Sequence, residues 1–169
     1  MIGSLLELRP LQLDDFDALF EAAGDPLIWE QHPERDRYKR PDFQRYFDGA
    51  IESKGAFAVI DRHTGRIIGS SRFCNLKVAD SEVEIGWTFL ERAYWGGAYN
   101  REVKALMLRH AFQFVGRVVF VVGEHNRRSQ EALRKLGATR VRDSESTSPD
   151  GKLQRNVVFA IHRGPFYSA

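Results

Sequence analysis

Cysteine is almost missing from these 169 residues: Cys74 stands alone. An intramolecular disulfide framework and a cysteine-rich zinc site are therefore excluded. Long apolar runs are missing as well. The longest, such as Val118 to Val122, are far too short to cross a bilayer. The opening MIGSLLELRP has no basic start followed by an apolar stretch, so no secretory signal is expected. Neither sign of charge dominates, since 25 Lys+Arg against 23 Asp+Glu leave a net of +2. That balance gives little reason to expect a nucleic-acid partner. His32, His63, His110, His125 and His162 show no i, i+4 pairing, so no metal is expected. Repeats and low-complexity linkers are absent. What remains is ordinary globular composition, 43% hydrophobic and 28% charged. A chain of this length can bury roughly 70% of its unfolded surface. One cytoplasmic domain over residues 1–169, with no membrane segment, is the expectation.

The hydrophobic pattern sets the element order. Residues 5–11 alternate and predict a strand. Asp14 can cap a helix carrying Phe16, Leu19, Phe20 and Ala23, which Gly24 stops. Asp25-Pro26 restarts the chain into a short aromatic segment around Trp29. Pro41-Asp42 opens a helix with Phe43, Tyr46, Phe47, Ala50 and Ile51 on one face. Strands at 56–60 and 66–73 flank the turn Asp61 to Gly65, a hairpin signal. A strand at 81–90 places Val83 and Ile85 on one face and Glu82 and Glu84 on the other. Val103, Leu106, Met107, His110 and Phe114 form a helical stripe, followed by a buried strand at 118–122. A short helix at 129–136 ends at Gly137, and strands at 139–142 and 156–162 surround a polar loop, Ser144 to Lys152. The order βαα, strands, βαβαββ predicts an α/β (α+β) sheet protein.

The stretch from Glu82 to Phe114 says most about chemistry. Trp95-Gly96-Gly97-Ala98-Tyr99-Asn100 feeds a helix N-terminus, where unpaired N–H groups and the helix dipole suit a phosphate or pyrophosphate. Neither G-x-x-x-x-G-K-[ST] nor, in this loop, G-x-G-x-x-G is present. A plain strand-to-helix turn would read the same way.

Three signals fall in order: E-I-G-W on a strand, Y-W-G-G-x-Y at a helix start, and N-x-x-S-x-x-x-L-x-K-L-G one strand later. Together they resemble the GNAT acetyltransferase superfamily, in the branch that holds the ribosomal-protein N-terminal acetyltransferases. The resemblance implies a mixed, splayed sheet of about six or seven strands with about four helices. It also implies that acetyl-CoA binds, as acyl donor, between two central strands. Trp95, Gly96, Gly97, Ala98, Tyr99, Asn100 and Arg101 would then form the pyrophosphate loop and helix start. Trp95 stands where relatives carry Gln or Arg, Ala98 at a usual glycine, and Asn100 at Gly or Ala. Ala98 fits if its φ is negative. Phe89 and Leu90 match positions whose backbone pairs with the pantetheine arm, and Asn126 a residue that hydrogen-bonds it. From the residues alone, Asn126 shapes a turn and Ser129 caps a helix.

An attacking ammonium, with a pKa of about 7.7–8.0 for an α-amine or about 10.4 for lysine, must lose a proton first. The resemblance favours Glu84 as that base, with Glu82 on the same face as its rival. Many relatives carry a tyrosine seven residues after the asparagine as acid for the thiolate; here the position is Leu133. Ser129 or a water would then protonate the thiolate, unless it leaves as such, its thiol pKa being about 8.5. Cys74, with no histidine nearby in sequence, is no obvious nucleophile. Basic residues at 124–142 could attract a coenzyme phosphate, and Trp29, His32, Tyr38 and Arg72 could border an acceptor site. The expected activity is direct acetyl transfer to a primary amine, on a small molecule or a protein N-terminus. The alternatives are a non-catalytic acyl-CoA-binding domain and a ribosome-associated module. A homodimer is compatible with the fold.

Overall fold

The computed structural model describes residues 1–147, 151 and 153–168. In chain order the elements are β1 (Leu6–Pro10), α1 (Phe16–Ala23), α2 (Pro26–Trp29), α3 (Arg40–Glu52), β2 (Ala56–Asp61), β3 (Ile67–Lys77), β4 (Glu82–Leu90), α4 (Ala98–Ala111), β5 (Arg117–Gly123), α5 (Arg127–Lys135), β6 (Thr139–Thr147), β7 (Leu153–His162) and α6 (Arg163–Ser168). The strands form one seven-stranded sheet in the order β1-β2-β3-β4-β5-β7-β6. Every pairing is antiparallel except β4 with β5, the neighbours that α4 connects.

That parallel pair is short. It runs from Glu82 opposite Arg117 to Glu84 opposite Val119 and stops, although both strands continue. Beyond Glu84 the two strands diverge. On its other edge β4 stays paired with β3 as far as Leu90, but the register slips. Arg72 faces Gly86 and Ser70 faces Phe89, so three β4 steps oppose two on β3. The extra residue is a β-bulge at Trp87, whose φ is +50°. A left-handed conformation at a tryptophan costs about 1–2 kcal/mol. Its surroundings hold it: the Tyr46 hydroxyl donates to the Trp87 carbonyl at 3.0 Å, and the Arg72 guanidinium lies 4.9 Å from the indole centroid.

The bulge also changes which side chains share a face. Val83 and Ile85 pack with Leu90 against α4 in the main core, together with Val103, Met107, Val118, Phe120 and Phe159. Phe89 joins the opposite face, in an aromatic cluster with Trp29, Phe43, Tyr46 and Phe47. Helices α1 to α3 therefore cover the C-terminal half of β4 on the face that carries Glu82 and Glu84. Trp29 and Phe89 rings lie 5.1 Å apart, a contact class worth about 0.5–1.5 kcal/mol beyond area burial.

Several expectations need correction. Asp14 does not cap the first helix. A 3-10 turn, Leu13–Asp15, intervenes, and Asp15 is the buried acid, chelated by Arg9 at 2.6 and 2.7 Å. Phe114 leaves the helical stripe because α4 ends at Ala111, and it is 71% exposed. The expected loop 144–152 is partly strand: Ser144 to Thr147 pair with Asn156 to Leu153, while 148–150 and 152 lie outside the described residues. The expected sheet flanked by about four helices is found; among the described residues two short additions join it, the single turn at Trp29 and α6 after β7.

Candidate active site

On the face opposite α4, the start of β4 forms the floor of a cleft of ≈ 520 Å³. Its walls include Asn75 and Lys77 from β3, Trp87 at the bulge, Val119 and Val121 from β5, and Asn156 from β7. Glu82 and Glu84 both line it and both are buried, yet their partners differ. Glu82 sits between two cations, Lys77 at 3.6 Å and Arg117 at 3.3 Å. Glu84 forms no ion pair among the described residues; Asn75 donates to its Oε2 at 2.8 Å. Burial pushes the Glu84 carboxyl above the usual carboxylate range and the Glu82 charge adds to this, against the Asn75 hydrogen bond. A carboxylate raised in this way holds a proton more readily, the property a general base needs. The two acids, indistinguishable by alternation, are separated by their neighbours.

Cys74 lies opposite Glu84 in the β3–β4 register, with its Sγ 3.8 Å from the Glu84 carbonyl. Burial pushes the thiol up to about 12. A nucleophilic cysteine needs the reverse, a depressed pKa.

The glycine turn meets α4 as the sequence pattern predicts. Gly96 has φ +72°, a conformation that favours glycine. Gly97 is the N-cap of α4, with no side chain capping the helix. The first N–H groups of this 14-residue helix thus have no side-chain cap at Gly97, and the turn beside them is open: a Cβ built on Gly96 or Gly97 would meet nothing within 4 Å. Ala98 lies inside the helix and its φ is not positive, so it fits as expected. Arg101 is exposed on the first turn and Asn100 half-buried. Two aromatics of this segment are engaged within the protein. Trp95 donates to the Leu90 carbonyl at 2.9 Å, and the Tyr99 hydroxyl reaches Asp61 at 3.3 Å. At Leu90, one of the two positions whose backbone the resemblance pairs with a pantetheine arm, the carbonyl thus accepts from Trp95. Phe89 keeps its side chain in the aromatic cluster and its β5-facing edge beyond the last β4–β5 pair.

At the end of β5, Asn126 caps α5, its Oδ1 accepting from the Ser129 N–H at 3.1 Å. This reverses the sequence reading in which Ser129 was the cap. Leu133 is buried in the main core. The α5 start is brought to the glycine turn by Arg128, whose guanidinium stacks 4.0 Å from the Trp95 centroid and donates to Ile28 O at 3.1 Å. Of the four residues suggested for the acceptor side, Trp29 is buried with its Nε1 bonded to Ala23 O, and His32 is held to about 3 by burial and the Arg37 charge. Arg72 braces the bulge.

Sequence reasoning missed two residues. Asn75 has φ +50° and sits at a β3 register shift; nothing in its local pattern ties it to Glu84. Lys104, on α4, is buried against the sheet and donates to Thr88 Oγ1 at 2.5 Å. Its signal was available, since position 104 falls inside the apolar stripe of a helix.

The mixed sheet whose central parallel pair parts, with no side-chain cap on the helix N-terminus beside the opening, is the architecture that the sequence resemblance implies. The family model described as Acetyltransferase (GNAT) domain matches residues 6–139, and the chain belongs to this family. A presumed acetyltransferase from T. thermophilus superposes with a TM-score of 0.83 at 26% identity, over 99% of this chain and 90% of that one. A GCN5-related N-acetyltransferase from Brucella melitensis gives 0.79 at 21% identity, over 95% of this chain and 77% of the other. The ribosomal-protein-S5-alanine acetyltransferase of Vibrio fischeri gives 0.72 at 14% identity, over 98% and 97%. The last two likenesses are of fold alone.

Proposed function

We propose that this protein is an acetyl-CoA-dependent N-acetyltransferase that passes the acetyl group directly to a primary amine. The observation that carries this reading is Glu84: a buried carboxylate with no ion pair among the described residues, lining a cleft where β4 parts from β5. The residues present suit the coenzyme. The uncapped α4 N-terminus and Gly96-Gly97 would receive its pyrophosphate, with Arg101 and the α5 start nearby. The free edge of β4 beyond Glu84 offers main-chain groups to its amide arm. When bound, acetyl-CoA supplies the activated acyl group. Glu84 takes the proton of the incoming ammonium, directly or through water, so that a neutral nitrogen attacks. Backbone N–H groups of β4 past the bulge orient the acyl carbonyl and stabilise its developing negative charge. The Cys74 thiol, pushed up to about 12, takes no part, and no acyl-enzyme forms.

The acceptor class is an amine on a small molecule or a protein N-terminus. Coenzyme release measured with a polyamine, an amino acid and a peptide of free N-terminus, set against acetyl-CoA binding by calorimetry, tests the reading. Turnover on any of them supports it. Tight binding without turnover would favour a non-catalytic acyl-CoA-binding domain, and no binding would overturn both.

A further inference from the structure

Lys104 is the one buried lysine among the described residues. Its ammonium projects from α4 into the wedge where the strands part. It donates to Thr88 on β4 at 2.5 Å and lies 5.6 Å from the Phe120 ring on β5, the residue directly after the last paired one. Thr88 in turn shares a 2.7 Å hydrogen bond with Ser71 of β3. The amine thus meets a hydroxyl on β4 and a ring on β5, neither of them charged, and the nearest β3 group, bonded to that hydroxyl, is a second hydroxyl. A cation so placed is costly: breaking or omitting its counter-ion leaves an uncompensated buried charge, and an apolar side chain of similar volume is often neutral or stabilising. The position gains nothing in stability from lysine.

Resting on the coenzyme reading above, we infer that Lys104 is the acid of the transfer: it stabilises and protonates the thiolate that leaves the acyl group. The amine nitrogen bonds to the acyl carbon, the C–S bond breaks with its electron pair going to sulfur, and Lys Nζ–H delivers the proton that makes a thiol. Glu84 holds the proton removed from the amine, and both residues reset by exchange with water. The two candidates from sequence do not fill this role. Leu133 is apolar and buried, and Ser129 has an ordinary hydroxyl that is a far weaker acid than an ammonium. Burial alone, with no charged neighbour contributing, lowers the Lys104 ammonium to about 7. It can therefore give up a proton near neutrality, which a lysine at about 10.4 does poorly.

The experiment reads the thiol itself. Free CoA is bound to wild type and to Lys104→Met, and the ultraviolet absorbance of the thiolate is followed against pH, with affinity measured by calorimetry at ~pH 6, well under the thiol pKa of about 8.5. Wild type should lower the pKa of the bound thiol so that its acid dissociation constant rises roughly tenfold or more. Lys104→Met should bind CoA equally at the lower pH, with the thiol back at or above its free value, and should lose turnover roughly 10²–10⁴-fold with KM for acetyl-CoA unchanged. Equal thiol titration in the two proteins would overturn the inference and leave the coenzyme reading standing. So would loss of CoA affinity in the variant at ~pH 6, which would make Lys104 a wall of the site. Failure of wild type to bind CoA would overturn both.

Discussion

The two halves of β4 are built from one continuous strand and do opposite things. From Glu82 to Glu84 it is paired on both edges, with β3 and with β5, and its cleft-facing side chains are held in register. From Gly86 to Leu90 it is paired on the β3 side only, and past Glu84 its other edge is free of β5. The bulge at Trp87 marks the change. A fully paired strand fixes carboxylates to within the tolerance catalysis requires, whereas an unpaired edge offers backbone groups to a ligand. On the proposed function, uniform pairing would give a rigid base and no coenzyme slot. The parting falls just after the carboxylate, so that a buried acid and an open backbone edge are adjacent.

The largest expected effect tests the paired half. Glu84→Gln removes the base while keeping its shape, so turnover should fall roughly 10²–10⁴-fold with coenzyme affinity near wild type. The loss should shrink at high pH, where more amine arrives neutral. Glu82→Gln should leave turnover close to wild type and cost stability instead, because Lys77 and Arg117 lose their shared partner. If Glu82→Gln is the crippled variant, the wrong carboxylate has been chosen.

The second effect tests the open half. Gly96→Val forces a branched residue to φ +72°, a strain of about 1–3 kcal/mol. The turn should relax and misplace the α4 N–H groups, weakening acetyl-CoA binding about tenfold or more by calorimetry while Glu84 chemistry at saturating coenzyme persists. Unchanged affinity would move the pyrophosphate elsewhere.

A smaller effect comes from the wedge between the halves. The folded-state pKa of Lys104 lies at about 7, below its unfolded value of about 10.4. Between these values the unfolded chain binds more protons than the folded one, so this group makes stability rise with pH across that window. Below it, both states are protonated and the full cost of the buried cation is felt. Lys104→Met should therefore be more stable than wild type at pH 7 and below, by about 1–4 kcal/mol. The gap in Tm should close toward pH ~10. A variant less stable at every pH would mean that the amine is needed for packing.

The smallest effect is at the neighbour of Glu84. Cys74→Ala should keep most of the activity in a coenzyme-release assay, since a thiol held at about 12 is not a nucleophile. Complete loss with the fold intact would favour a covalent intermediate over direct transfer.

Much of this was legible in the order of residues. Alternation places Glu82 and Glu84 together and against Val83 and Ile85, and the structure keeps them so, because a strand's period of two is a local property. The Gly96-Gly97 turn, α4 and the hairpin at Asp61 are equally local, set by backbone preferences and by periodicity. What separated Glu84 from Glu82 was not local. It required Lys77 to fold back across the hairpin and Arg117 to arrive beside Glu82 through the parallel pairing, and it required Asn75 to leave the regular β3 register. The bulge at Trp87 is invisible in composition, because its strain is offset by Tyr46 and Arg72 from distant parts of the chain. The depth of Lys104 likewise depends on how α4 sits over two diverging strands. Sequence by itself determined which residues alternate, cap and turn, since those choices rest on each residue and its near neighbours. Tertiary structure alone decided which charges are paired and which are left buried and unpaired, because electrostatic surroundings are set by whatever side chains packing brings within a few ångströms, regardless of their distance along the chain.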